Sequence, residues 1–239
     1  MLEILYQDAH LVAINKPSGL LVHRSLIDRH ETRFAIQLTR DQIGQKVYPV
    51  HRLDKPTSGV LLFALDSDTA RLINAQFTAG QVQKTYQAIA RGFVPDNGVI
   101  DHPLREQLDA LADADADTDK DAQTALTHYR RLQAFEVPFA VDRHPTSRYS
   151  LVELCPKTGR KHQLCRHMKH ISHHLIGDTT HGNGKHNRFF REQFGSSRLL
   201  LHATQLCLKH PHNHENLLIQ AKFPADFDEV VRLLLPFQQ

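Results

Sequence analysis

Residues 59–66 read GVLLFALD, a run with no polar side chain before its closing aspartate. Such an unbroken apolar run predicts a strand covered on both faces. Upstream, HLVAINKP (10–17) predicts an earlier strand, ended where Pro17 and Gly19 impose a turn. Residues 31–42 predict a short helix. After the apolar run, Ser67 or Asp68 is placed to cap a helix that carries Ala70, Ile73, Asn74 and Phe77 at helical spacing and stops at Gly80. KTYQAIARG (84–92), LTHYRRLQAFEVP (126–138) and SRYSLVELCP (147–156) are strand-like; the last alternates Tyr149, Leu151 and Glu153 with Ser150, Val152 and Leu154. KTG (157–159) makes a sharp turn. From Arg160 the spacing becomes helical, with Leu164, Met168 and Ile171 on one side. LLLHATQLCLKHP (199–211) and NLLIQAKFP (216–224) predict a hairpin, and residues 225–235 a closing amphipathic helix. Long antiparallel-looking strands with interspersed helices predict an α+β fold rather than a doubly wound one.

The chain has 239 residues, 41% hydrophobic and 23% charged, which is enough to bury a substantial core. No repeat or clear linker divides it, so residues 1–239 are expected to form one domain. No run approaches the roughly 18 apolar residues that span a membrane. The opening MLEILYQDAH has neither the basic start nor the apolar stretch of a signal peptide, so a cytoplasmic location is expected. Cys155, Cys165 and Cys207 cannot all pair within one chain and none has CxxC spacing, which predicts incidental or buried thiols.

Charge changes the picture. Residues 101–121 hold eight acids against Arg105 and Lys120, a net of −6, whereas residues 143–210 hold twelve Lys and Arg against three acids, a net of +9. A basic C-terminal half fits a polyanion bound on one face. The acidic stretch 108–125 reads as a mobile insertion. Its D-x-D-x-D spacing from Asp113 is not a calcium loop, because Thr118 stands where Gly is needed and Thr124 where Glu is needed.

Two segments concentrate the candidate chemistry. In HRLDKPTSG (51–59), Asp54 lies between Arg52 and Lys55, whose charges favour the ionised carboxylate. That suits a nucleophile or an electrostatic anchor better than a general acid; a structural ion pair is the alternative. In TGRKHQLCRH (158–167), Arg160 could reach back to a carboxylate while Lys161, Arg166 and Lys169 meet phosphates, or the same residues could form a solvated helix face. Of eighteen histidines, His162, His167, His170, His173 and His174 crowd one region, but HQLCRH lacks the i,i+4 spacing and the acid of a hydrolytic zinc site. No GxGxxG, Walker loop or G-x-S-x-G elbow occurs, so no nucleotide, flavin or metal requirement is expected.

HRLDKPTSG (51–59), QKTYQAIARG (83–92) and KTGRKHQLCRH (157–167), in that order and with IGD (176–178) and LLLHA after them, resemble the signature regions of RluA-type pseudouridine synthases. The resemblance runs over nearly the whole chain. It implies a long, curved, mixed but mainly antiparallel sheet with flanking helices, an active cleft across its middle, and no small appended RNA-binding module. It implies Asp54 as the residue that attacks the target nucleotide, Tyr86 stacked near the base and helping proton transfer, and Arg160 in a salt bridge to Asp54. It gives Arg52 the place vacated by a flipped-out nucleotide; Lys55, Lys161, Arg166 and Lys169 are the further residues expected to contact RNA. The substrate implied is tRNA, at uridine-65, acted on by a monomer without cofactor; a ribosomal RNA uridine, or a non-catalytic RNA-binding protein of this fold, are the alternatives. One departure stands out. The family commonly has Arg at the position of Cys165, and here Arg follows one residue later, at Arg166.

Overall fold

The computed structural model describes residues 1–24, 31–106 and 121–239. The acidic segment singled out above therefore lies largely outside the described residues. Ten strands form one sheet: β1 (Glu3–Gln7), β2 (Leu11–Lys16), β3 (Tyr48–Pro49), β4 (Ser58–Ala64), β5 (Gln83–Arg91), β6 (Asn97–Asp101), β7 (Leu126–Val137), β8 (Ser147–Pro156), β9 (Leu201–Lys209) and β10 (Asn216–Gln220). The helices are α1 (Ala35–Ile43), α2 (Ser67–Thr78), α3 (Gln163–His170), α4 (Gly184–Phe194) and α5 (Ala225–Leu234). The main path of the sheet is β1-β2-β4-β9-β5-β8-β7-β6, with β3 beside β4 and β10 beside β9. The α+β expectation holds.

Two antiparallel halves meet at a parallel seam, where β4 lies beside β9 through Ser58↔His202 and Gly59↔Ala203. In the first half every residue of β4 is buried, because helices cover both faces. Val60, Leu62 and Ala64 pack with Ala70 and Ile73 of α2, and Leu61 and Phe63 pack on the other face with Ala35 of α1. In the second half Ala88, Val152 and Leu154 meet Leu164 and Met168 of α3, while Ile89, Tyr149 and Leu151 meet Phe190 of α4 and Phe227 of α5. The pattern is the period-2 alternation of strands closed by the 3.6 period of helices.

Several boundaries differ from the sequence reading. The cap of α2 is Asp66, whose side chain accepts from Thr69 N, one residue before Ser67 and two before Asp68, the expected caps. Arg160 does not open a helix: α3 starts at Gln163, behind His162 in a left-handed conformation (φ 53°). Strands β1 and β6 and helix α4 were not read from the sequence. Cys155, Cys165 and Cys207 are free thiols, as expected.

Candidate active site

The segment carrying Asp54 is a turn between β3 and β4, closed by Thr57 N donating to the Asp54 carbonyl at 3.0 Å. A second loop braces it. Gly19 N donates to the Lys55 carbonyl at 2.8 Å and Ser18 Oγ to the Pro56 carbonyl at 2.7 Å. Beneath them the Lys16 amine is wholly buried and donates to the carbonyls of Pro17 (3.0 Å), Leu20 (2.7 Å) and Lys55 (3.1 Å). Burial pushes its pKa down to about 7, against the pull of the Asp54 charge and with a push from Arg198. Lys16 is thus a buried amine held under the turn that carries Asp54, its charge poised near neutral pH. Nothing in the local pattern singled it out.

Unfolded, Lys16 has the ordinary pKa of 10.5, so between pH 7 and that value the unfolded chain binds one more proton there than the folded one. This group therefore contributes a stability that rises with pH across that window. Replacing it by methionine (Lys16→Met) should flatten the rise by at most about 1.4 kcal/mol per pH unit, read by urea denaturation from pH 7 to 10.

The turn is anchored from below at the seam. Ser58 Oγ lies 2.7 Å from His202 Nδ1, and Arg198 donates to the same hydroxyl. His202 Nε2 reaches the Ala221 carbonyl at 3.3 Å, and burial pushes the ring's pKa down to about 4, so it is neutral. The assignment is closed: Nε2–H donates to Ala221, Nδ1 accepts from Ser58, and the serine oxygen accepts from Arg198. Arg198 is in turn held by Asp226 at 2.9 Å.

Asp54, Tyr86, Arg160, Arg52, Lys55, Lys161 and Arg166 all line one cleft of about 890 Å³ that crosses the seam. Tyr86 follows a register shift between Thr85 and Tyr86 in the β5–β9 pairing, the kind of irregularity that re-aims a side chain. Its ring packs against core residues of both halves of the sheet. Burial, and then the charge of Asp54, hold its pKa well above the ordinary tyrosine value. The phenol therefore keeps its proton at neutral pH, as an aromatic face and a donor. His51, also in the cleft wall, accepts from Leu62 N at 3.0 Å and stacks on Phe77. Burial, reinforced by Lys84, lowers its pKa to about 3, so it too is neutral.

The opposite wall is the turn into α3. Gln163, almost fully buried, accepts from Arg160 N (3.0 Å) and Thr158 Oγ1 (2.7 Å) and donates to the Leu126 carbonyl and Thr127 Oγ1. This fixes the Arg160 backbone in the cleft wall. The guanidinium is directed elsewhere than expected. Arg160 Nε donates to the Thr124 carbonyl at 3.2 Å, and among the described residues no ion pair joins it to Asp54. Thr124 lies two residues before β7, so the segment leading into that strand runs beside the turn. Of the other expected RNA contacts, Arg52 is exposed at the cleft, Lys55 pairs with Glu31 at 3.1 Å, and Arg166 donates to the Arg105 carbonyl at 2.9 Å. Lys169 is exposed on α3 but outside the cleft lining.

Cys165 is buried in the same wall. Burial, then the carboxylates of Asp178 and Asp54, push its thiol far up, so it is an inert neutral group. Asp178 is itself buried; its Oδ1 accepts from Thr180 N and His181 N, and its Oδ2 has no partner.

Residues 10–170 match the family described as RNA pseudouridylate synthase. The chain is 57% identical over 231 residues to tRNA pseudouridine synthase C of Pectobacterium carotovorum subsp. carotovorum, covering 97% of this chain and 61% of that relative's length. It is 54% identical over 235 residues to tRNA pseudouridine synthase C of Vibrio cholerae, covering 98% of this chain and 95% of the relative. Among solved structures, human RNA Pseudouridylate Synthase Domain Containing 4 superposes with a TM-score of 0.73 at 30% identity, covering 98% of this chain and 93% of that one. The chain belongs to the RNA pseudouridylate synthase family, and within it to the RluA type.

Proposed function

We propose that this protein isomerises a uridine of tRNA to pseudouridine, at uridine-65, with Asp54 as the nucleophile. The observation that carries the reading is the convergence of Asp54, Tyr86 and a set of basic side chains on one cleft, with the carboxylate on a turn braced from two sides. The relatives named as tRNA pseudouridine synthase C support the choice of tRNA. The Asp54 carboxylate bonds to the nucleotide, the carbon–nitrogen glycosidic bond breaks, and uracil turns and rejoins ribose through C5 as the carboxylate is released; C5 then gives up its proton and N1 takes one up. Nothing is gained or lost overall and no electron changes hands, so the reaction calls for no redox partner. Arg52, exposed at the mouth, takes the space of the nucleotide once it is flipped out of the stack. Site-by-site mapping of pseudouridine in RNA from a strain lacking the gene tests the substrate. Loss of the modification in tRNA is the expected result, and loss confined to ribosomal RNA would replace it.

In this reading Arg160 releases Thr124 for the Asp54 carboxylate when RNA fills the cleft, whereas Arg166 and Lys169 touch phosphates. Phosphate contacts carry position more than sequence. Arg166→Ala and Lys169→Ala should each weaken binding to many RNAs alike and lower the salt slope by about 1 or less. Arg160→Ala should damage the single-turnover rate far more than affinity. Salt titrations of RNA affinity with parallel single-turnover rates separate the two behaviours. A loss of affinity alone in R160A would assign that side chain to the phosphates as well.

A further inference from the structure

Far from the cleft, three loops bring two imidazoles and a carboxylate together. His10 stands in the β1–β2 turn, Asp66 caps α2, and His212 lies in the β9–β10 hairpin. One donor atom from each falls within 4.8 Å of the others. His10 Nδ1 is 4.0 Å from Asp66 Oδ2, too far for a hydrogen bond, and the rings of His10 and His212 stack at 3.7 Å with 21° between their planes.

We infer that His10, Asp66 and His212 form a binding site for a divalent transition-metal ion of the zinc class. The side chains around them are arranged as such a site requires. Thr69 Oγ1 donates its one proton to Asp66 Oδ2 at 2.7 Å, so towards His212 Nε2, 2.8 Å away, it can only accept. His212 therefore carries its proton on Nε2 and presents a bare lone pair on Nδ1. A partner on the far ring nitrogen that fixes the tautomer is the usual support of a metal-binding histidine.

A further set of bonds holds the two histidine-bearing loops in register. Asp8 Oδ1 accepts from His10 N and Leu11 N, each at 2.7 Å, and Asp8 Oδ2 meets His210 Nε2 at 2.9 Å. His210 is buried, and its Nδ1 accepts from His212 N and Asn213 N, each at 3.3 Å. One histidine thus shapes the hairpin that carries His212 and ties it to the turn that carries His10.

Two imidazoles and a carboxylate are a donor set suited to zinc and its neighbours, with a fourth position left for water. Donors on a tetrahedral ion with bonds of about 2.0–2.1 Å stand roughly 3.3 Å apart, so the three residues close on the ion by movements of about 1 Å. His212 is exposed and half-buried His10 and Asp66 are at the surface, which permits the movement. The site is at the other end of β4 from Asp54, roughly 20 Å along the strand at about 3.3 Å per residue. The ion would clamp the first turn, the start of α2 and the last hairpin to one another, away from the reaction.

The test uses the full chain, stripped with chelator and dialysed. Zinc is titrated by calorimetry and by thermal melting, and cobalt(II) by visible absorption. The expected result is one saturable equivalent, a higher Tm with zinc, and a cobalt band that zinc displaces. His10→Ala and His212→Ala should each weaken binding by about tenfold or more, whereas His214→Ala, in the same hairpin, should leave it unchanged. A wild-type protein that gives no saturable cobalt band and no zinc-dependent shift in Tm overturns the site, whatever the variants do. So does binding equal in wild type and in the H10A/H212A double variant, which would place the metal on other histidines.

Discussion

Asp54→Asn should give a folded protein that still binds RNA and forms almost no pseudouridine. The amide keeps the shape of the carboxylate, and the turn that holds it is built from backbone groups and from the side chains of Lys16, Ser18 and Ser58. None of these bonds uses the Asp54 side chain, so stability should change little. On the proposed mechanism the nucleophile is lost, and removal of a nucleophile lowers turnover by on the order of 10⁴ or more. Pseudouridine formation on cellular tRNA, measured beside RNA affinity and a thermal melt, checks all three parts. Appreciable turnover by D54N would take Asp54 out of the nucleophile's role.

The second large effect falls on the fold. Gly59 has φ +114°, and a Cβ built on it would stand 2.2 Å from the Ala203 carbonyl oxygen, 2.6 Å from its nitrogen and 2.7 Å from its carbonyl carbon. All three are backbone atoms of β9 at the seam, and they cannot turn aside as a side chain does. Gly59→Ala should therefore cost more than about 4 kcal/mol, the range reached only when packing or backbone geometry is broken outright. Gly98→Ala is the comparison. Its Cβ would press on the Tyr129 side chain, which can rotate away, and its φ is not in the left-handed region. Soluble yield and urea denaturation of the two variants should differ sharply. A G59A protein of near wild-type stability would show that the two strands can separate at little cost.

What the sequence disclosed depended on how the signal was spread along it. Strand β4 was legible because its seven residues are all buried and all adjacent. The β9–β10 hairpin was legible from its apolar runs at 199–201 and 217–219, although β10 buries only Ile219, and α5 from the helical spacing of Phe227, Val230 and Leu234. Strand β1 and strand β6 were not: each has at most one fully buried residue, so no alternation marks them. Helix α4 begins at Gly184 and buries only His186, Phe189 and Phe190, a stripe too narrow to show against its charged residues. The site divides in the same way. Asp54 announced itself by its immediate neighbours. Lys16, and the chain His202–Ser58–Arg198–Asp226, act across long separations that no local window contains. The placing of Arg160 in the cleft wall followed from the resemblance, but the carbonyl of Thr124 that holds its guanidinium depends on how β7 starts.

The seam also sets the order in which the protein can be made. Ser58 and His202 are separated by 144 residues, and the parallel contact between their strands is confined to two residue pairs. At the usual pace of about 5–20 residues per second, a ribosome needs roughly 7–30 s to travel from one to the other. During that interval β2 and β4 can pair with each other and α2 can begin to dock, although Leu206, Leu208, Ile219 and Ala221 of their shared core are still to be made. The cleft cannot form, because one of its walls is α3 and its floor needs β9. The nascent chain therefore presents the Asp54 turn early and without the Ser58–His202 brace, beside the very class of RNA that surrounds a working ribosome. Reactivity waits on nearly the last strand, so an interrupted chain carries the aspartate but no site in which to use it.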